Sequence, residues 1–497
     1  MDGTLRRSVL VLALLCVSPA AAAAPASPPL SAASRECLDC HEEATPGIVA
    51  DWRKSRHARV TMREALSRPD RERRVSAAAA PEGTEGYAVG CAECHTRNPD
   101  THPDSVPHGD FRVHPVVTPR DCAACHPVEA TEFEGNRMAH AHGNLMRNPL
   151  FRELVDQVVG IWSLEGKELR RRDPGEGARA DACLSCHGTV VQVAGTETRD
   201  TATAGEMKFP VLSGWPNQGV GRVNPDGSLG SCAACHTRHA FSIEVARKPE
   251  TCGTCHKGPD VPAYPVWSVS KHGVIVKSQG QGFDFDAVPW VPGRDFAAPS
   301  CAACHASLLS DSGGRTLAPR THRYSDRLAW RIFGLPYGHR PPASPDTTGL
   351  RSPDGLPLPT SLANTPSPGL IGEPEARDRE RRLQGVCRSC HGESWVRGHF
   401  DRLHGVIEET NAQVLTATRL LQEAWKKGKA LGPGRGSPFD EPIERTWVEA
   451  WLFHANSTRF AAAMSGADHG VFADGRWWLT RTLHRMREWL QNPAIHR

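Results

Sequence analysis

Beyond Cys387 the apolar positions of this chain recur at helical spacing. Phe400, Leu403, Ile407, Val414, Leu421 and Ala424 fall on one face of a helix. Trp447, Trp451 and His454 begin a second helix, and Trp478, Leu479, Leu483, Met486 and Leu490 mark a third. Most of this aromatic and aliphatic face reads as ordinary core between helices. Upstream, the chain reads as short helices and loops, so a mainly α fold with little sheet is expected. Residues 341–380 ("PPASPDTTGL", "SPDGLPLPTSLANTPSPGL") are rich in Pro, Gly and Ser and read as a linker or surface excursion. They separate residues 25–340 from residues 381–497, which hold the C-terminal helices.

The first residues follow a different pattern. Arg6 and Arg7 precede an apolar run from Val9 to Val17, and an alanine-rich stretch ends near Ala24. That order is the one expected of a secretory signal peptide over residues 1–24. A transmembrane helix needs about 20 apolar residues, and this run is roughly half that. Leu15 before Cys16 is too large for the usual lipoprotein processing site. No later segment is long and apolar enough to span a bilayer, and the expectation is an exported, periplasmic, soluble protein.

Composition changes the picture in one respect. Only 39% of residues are hydrophobic, against 40 prolines and 45 glycines. The length allows more than one domain, yet so loop-rich a chain needs something besides side chains at its centre. A formal charge of +3, with both signs interspersed, makes no case for nucleic acid.

Seventeen cysteines in an exported chain would ordinarily announce disulfides. Their spacing argues otherwise. "CLDCH" (Cys37, Cys40), "CAECH" (Cys91, Cys94), "CAACH" (Cys122, Cys125), "CLSCH" (Cys183, Cys186), "CAACH" (Cys232, Cys235), "CGTCH" (Cys252, Cys255), "CAACH" (Cys301, Cys304) and "CRSCH" (Cys387, Cys390) use every cysteine except Cys16. C-x-x-C-H is the attachment signature of c-type haem. The two thiols meet the two vinyl groups of one porphyrin, and the adjacent imidazole meets the iron. One copy could equally be a zinc half-site or a redox dithiol. Neither explains a histidine after every second cysteine throughout. Eight covalent haems are therefore expected, with His41, His95, His126, His187, His236, His256, His305 and His391 as proximal ligands, and flat macrocycles fill the centre that the composition leaves short.

Sixteen histidines remain for the far sides of the irons. Those in short polar segments near a motif are His57, His108, His114, His140, His142, His239, His272, His322 and His404. An iron held by two histidines only carries electrons, whereas catalysis needs an open position.

The connecting text resembles that of the octahaem hydroxylamine oxidoreductases. "CHGTVVQV", "WPNQGVGRVNPDGSLGSCAACHTRHAFSIEVARKPETCGTCHKGPD", "WSVSKHGV" and "DRLAW" are similar to that family's segments in the same order. The likeness runs from about Cys37 into the C-terminal helices. It implies a multihaem cytochrome c fold with a C-terminal helical bundle, packed as a homotrimer. It also implies that His187, in the fourth motif, holds a catalytic iron with no distal protein ligand. The other seven haems would be bis-histidine, with distal ligands assigned to His57, His108, His140, His142, His239, His272 and His322, and with His114 and His404 in reserve.

Two departures bear on the chemistry. The family reads Gly-Pro-Asp-His after the sixth motif, and the Asp-His pair moves protons over the catalytic iron. Here Asp260 is kept, and Val261, which cannot transfer a proton, replaces the histidine. The family's oxidases also cross-link a C-terminal tyrosine to the catalytic porphyrin. The matching segment "AAAMSGADHGVF" has His469 there, and no tyrosine follows Tyr337. Members without the cross-link are associated with reduction, so the resemblance points to nitrite or hydroxylamine reduction. Hydroxylamine oxidation is the alternative, and a non-catalytic electron carrier is another. A small inorganic nitrogen substrate and an electron-transfer cytochrome or other redox partner are the implied partners.

Overall fold

The computed structural model describes residues 27–492; the expected leader lies outside them. The fold is mainly helical, as expected, with a C-terminal helical bundle. Among the described residues the strands form four antiparallel two-stranded hairpins. The longest pairs Gln192–Thr201 with Gly205–Ser213, and another pairs Ile161–Glu165 with Glu168–Arg172.

Each C-x-x-C-H motif folds as, or beside, a single helical turn. Cys91–His95, Cys183–His187 and Cys301–His305 are five-residue helices. The first motif lies within Ala32–Ala44, and the eighth begins at the end of Glu373–Cys387. At the third, fifth, sixth and eighth motifs the histidine N–H donates to the carbonyl of the first cysteine at 2.9–3.0 Å. That bond closes one turn, so both thiols and the imidazole emerge from a single compact element.

The C-terminal region carries the largest side-chain core. Glu393–Lys426 is one helix of 34 residues. Its buried positions Phe400, Ile407, Val414, Leu421 and Ala424 are those of the apolar face expected from spacing. It stops where Gly428 adopts φ +64, a left-handed conformation that glycine takes without strain. Pro442, at the first helical position, opens the second helix; it passes through a π-helical segment, Glu449–Ala455, and ends at Met464. The third is Arg476–Gln491. Tyr337, Leu421, Ile443, Trp447, Trp451, Leu479 and Met486 pack together among them. Arg459, fully buried, ties the bundle to the upstream chain by donating to the Pro336 carbonyl and to Asn411 Oδ1, both at 2.8 Å.

Residues 341–372 contain no helix, and the helix beginning at Glu373 takes over the rest of the Pro-rich stretch. This segment is nonetheless bound to the body. Leu358, Leu370 and Ile371 are buried, Asn148 donates to the Pro357 carbonyl at 2.7 Å, and Tyr337 donates to the Leu362 carbonyl at 2.7 Å.

Candidate haem-binding and redox site

The centre of the molecule is a branched cavity of about 2170 Å³, well above the roughly 300–1,000 Å³ of an ordinary ligand pocket. His126, His187, His236, His256, His305 and His391 line it, with cysteines from motifs two to eight. No disulfide joins any of the sixteen motif cysteines.

Imidazoles face one another across the motifs. His41 and His108 have ring centres 6.0 Å apart, His57 and His126 6.3 Å, and His95 and His239 6.4 Å. His236 and His322 stand 6.5 Å apart, and His272 and His391 6.0 Å. An iron between two imidazoles at ordinary metal–nitrogen lengths of about 2 Å would set the ring centres roughly 6 Å apart. Burial pushes His57, His236 and His322 down to about 4, which keeps them neutral, the form that binds iron.

Carbonyls orient several of the motif rings. His95 Nδ1 lies 2.8 Å from the His114 carbonyl, and His187 Nδ1 lies 3.3 Å from that of Ala141. Such a bond leaves Nε2 as the ligating atom. Basic groups also suit the macrocycles. Arg137, Arg247, Arg327 and Arg331 line the cavity, and none has an ion-pair partner among the described residues. Burial lowers Arg137 to about 9 and both Arg247 and Arg331 to about 10. Haem propionates would supply the missing negative charge.

No imidazole stands at the facing distance from His187, His256 or His305 among the described residues. His140 and His142 lie near the fourth motif's turn. His142 Nδ1 bonds the Gly188 carbonyl at 2.7 Å, and His140 Nε2 bonds that of Glu134 at 2.9 Å. His404 bonds Glu380 at 2.7 Å. His114 is buried against His102. Three buried histidines were not marked by the sequence: His339, His399 and, beside His114, His102. His339, with Nδ1 on the Arg340 carbonyl at 2.6 Å, has a buried Nε2 without a partner, and His399 lines the cavity. Only burial separates them from surface histidines, and nothing in the local text announces it.

Asp260 is exposed on the cavity wall. Its charge acts on His187, His256 and the Cys183 thiol, so it stands between the fourth and sixth motifs. Its carbonyl accepts from Asn456 Nδ2 at 2.8 Å, which anchors it to the C-terminal helices. Val261 packs with Val266, Phe333 and Phe460. His469 is half-buried in the turn Ala467–Val471, and its carbonyl accepts from Ser457.

The thiols also report which motifs are neighbours. Cys37 feels Cys91, Cys94 feels Cys125, Cys122 feels Cys232, Cys235 feels Cys252, Cys252 feels Cys301, and Cys304 feels Cys387. Motifs one, two, three, five, six, seven and eight thus form a run. The fourth joins it through the contact of Cys186 with Cys255 of the sixth.

Comparison with known proteins agrees with these features. Residues 226–317 match the model "Seven times multi-haem cytochrome CxxCH", residues 173–257 that of "Cytochrome c7 and related cytochrome c", and residues 36–109 that of "Cytochrome c554 and c-prime". A probable nitrite reductase-hydroxylamine oxidoreductase fusion protein of Kuenenia stuttgartiensis is 25% identical over 412 residues, 81% of this chain and 39% of that protein. The chain therefore spans well under half the length of that relative. A chain of a reducing HAO-like protein complex from Kuenenia stuttgartiensis shares the fold, with TM-score 0.60 and 19% identity over 92% of this chain and 84% of that one. A solved structure titled "Hypothetical multiheme protein" superposes with TM-score 0.88 at 40% identity, covering 93% of this chain and 96% of its own. With covalent haem c as its cofactor, the chain belongs to the same family as that solved protein and is a multihaem c-type cytochrome.

Proposed function

We propose that the chain is an exported, periplasmic octahaem oxidoreductase that reduces nitrite or hydroxylamine at its fourth motif. The carrying observation is the position of that motif: it branches from the run of neighbouring motifs, and His187, like His256 and His305, has no imidazole facing it. Electrons delivered along the run would end there. A haem iron held by one imidazole supplies, when bound, an electron-exchanging centre with a position free for a small nitrogen oxo-species. The chain's own residues do the rest. The Ala141 carbonyl orients His187. Arg331, within electrostatic reach of His187, favours an anion nearby. Asp260, exposed on the wall, exchanges protons between solvent and the bound group. The five facing histidine pairs would hold electron-relay haems, and His142 and His339 each offer a carbonyl-anchored imidazole to the remaining irons.

Val261 favours a second reading, in which the protein carries electrons without chemistry of its own, because it removes the family's second proton-transfer group. Assays with nitrite and hydroxylamine in both redox directions separate the two readings. The expected result is nitrite reduction by a strong artificial donor, faster than hydroxylamine oxidation. The double substitution Cys183→Ala with Cys186→Ala should remove one haem and the activity together. Activity retained with one haem fewer would move the site elsewhere, and a haem spectrum wholly low-spin and inert to cyanide would leave the carrier reading.

A further inference from the structure

Just after the second motif, a second group of potential ligands is buried beside the His95–His239 pair. His102 follows the turn Pro99–Thr101 and is 2% exposed. Its Nδ1 lies 3.2 Å from Asp104 Oδ1 and its Nε2 3.2 Å from Asp121 Oδ1. His114 stacks on it with ring centres 3.5 Å apart. His114 is 0% exposed, and neither Nδ1 nor Nε2 has a hydrogen-bond partner. One ligating atom each from His102, His114 and Asp121 lies within 4.8 Å of the others.

The haems do not account for His114. The ring centre of His114 stands 6.1 Å from that of His95, but the His95 Nδ1 bond to the His114 carbonyl turns the iron-binding Nε2 of His95 elsewhere, and His239 faces that ring at 6.4 Å. Nor does an internal salt bridge. A protonated His102 clamped by two aspartates would explain His102, but it leaves both nitrogens of His114 buried and unsatisfied, which folded proteins rarely tolerate. The carboxylates, by contrast, are held as second anchors hold metal ligands. Asp104 Oδ2 accepts the Val116 N–H at 3.0 Å, and Asp121 Oδ2 accepts the Thr118 N–H at 2.8 Å. In each, the other oxygen is left turned to the imidazole.

We propose that His102, His114 and Asp121 bind one divalent ion of the zinc class, distinct from the haem irons. Two imidazoles and a carboxylate are the nitrogen and oxygen donors such ions take, usually in tetrahedral arrangement. Asp104 then serves as the carboxylate that orients His102. Because the His114 carbonyl holds His95, the ion would also brace the second motif's proximal ligand.

The test uses the haem-loaded full chain dialysed against a chelator, which leaves the covalent haems in place. Zinc chloride is titrated by calorimetry, and bound zinc is counted by elemental analysis with haem iron as the internal standard. One zinc per chain is the expected result. His114→Phe should abolish uptake, and Asp104→Asn, which removes only the orienting carboxylate, should weaken it ~10–100-fold. Haem content and spectrum check that each variant is folded. Failure of the wild-type protein to take up zinc overturns the proposal, as does uptake that His114→Phe leaves unchanged. The exposed-edge cluster Asp440, Glu441 and Glu444 is the other place such an ion could settle, so uptake abolished by Glu441→Gln instead would also overturn it.

Discussion

Asp260 and Val261 are adjacent residues on the cavity wall that differ in what they can do chemically. Asp260 faces the cavity from an exposed position, with its charge felt at His187 and His256. Val261 is folded into an apolar cluster with Phe460 and Phe333. Val261, Phe333 and Phe460 line the same cavity as Asp260 and none of them can exchange a proton, so proton transfer at the proposed site falls to Asp260. Loss of a general acid or base typically lowers the rate about 10²–10⁴-fold. Asp260→Asn should therefore slow nitrite turnover by that order while the haem content stays constant, as steady-state assays with a reduced viologen donor would show. Undiminished turnover would assign Asp260 a structural role, through the bond its carbonyl makes to Asn456.

Among the C-terminal helices, Glu444 is a buried carboxylate in an apolar bundle. It is 0% exposed, and burial raises it to about 7, against the opposing pull of Trp425 Nε1 and of the Glu441 N–H. In the folded state it keeps a proton that the unfolded chain gives up near the ordinary carboxylate value. Stability must then fall as pH rises from about 4.5 to about 7, and level off above. The slope is at most about 1.4 kcal/mol per pH unit. Thermal unfolding across that window should show the decline in the wild type, and Glu444→Gln should flatten it. A variant with the same pH profile as the wild type would place the titration on another group.

At the scale of the whole molecule, the side-chain core and the haem-binding cavity divide the work of holding the chain together. The C-terminal helices bury their own apolar faces. The upstream region lines most of the cavity with one-turn helices and the segments between them, where covalent macrocycles would supply the core that its side chains do not. The intact mass should equal the chain from about Pro25 plus eight haems, by electrospray under denaturing conditions. Peptide mapping should recover the segment around His469 free of porphyrin, and the reduced spectrum should lack the long-wavelength Soret band of a tyrosine-linked haem. A porphyrin-bearing peptide there would turn the reading toward oxidation.

Local text carried the haem motifs because their chemistry is local: one helical turn brings both thiols and the imidazole to one porphyrin. It also carried the long helix, since Phe400 to Ala424 bury the face that their spacing marks. The π-helical segment at Glu449–Ala455 was not legible, because a regular 3.6-residue period has no signature for one widened turn. The facing pairs join residues far apart in the chain, as His95 with His239 or His272 with His391, and their spacing depends on how separate loops close. The same holds for the branching of the fourth motif from the sixth through Cys186 and Cys255. His102, His114 and Asp121 are close in sequence, yet only the packed structure buries His114 with both nitrogens unpaired. The sequence alone marked the C-x-x-C-H segments as haem c attachment motifs, because that chemistry depends on bonds within five residues. Which imidazoles stand opposite one another, and which motif histidines have none opposite, was decided by tertiary packing, because those distances are set across the cavity and not along the chain.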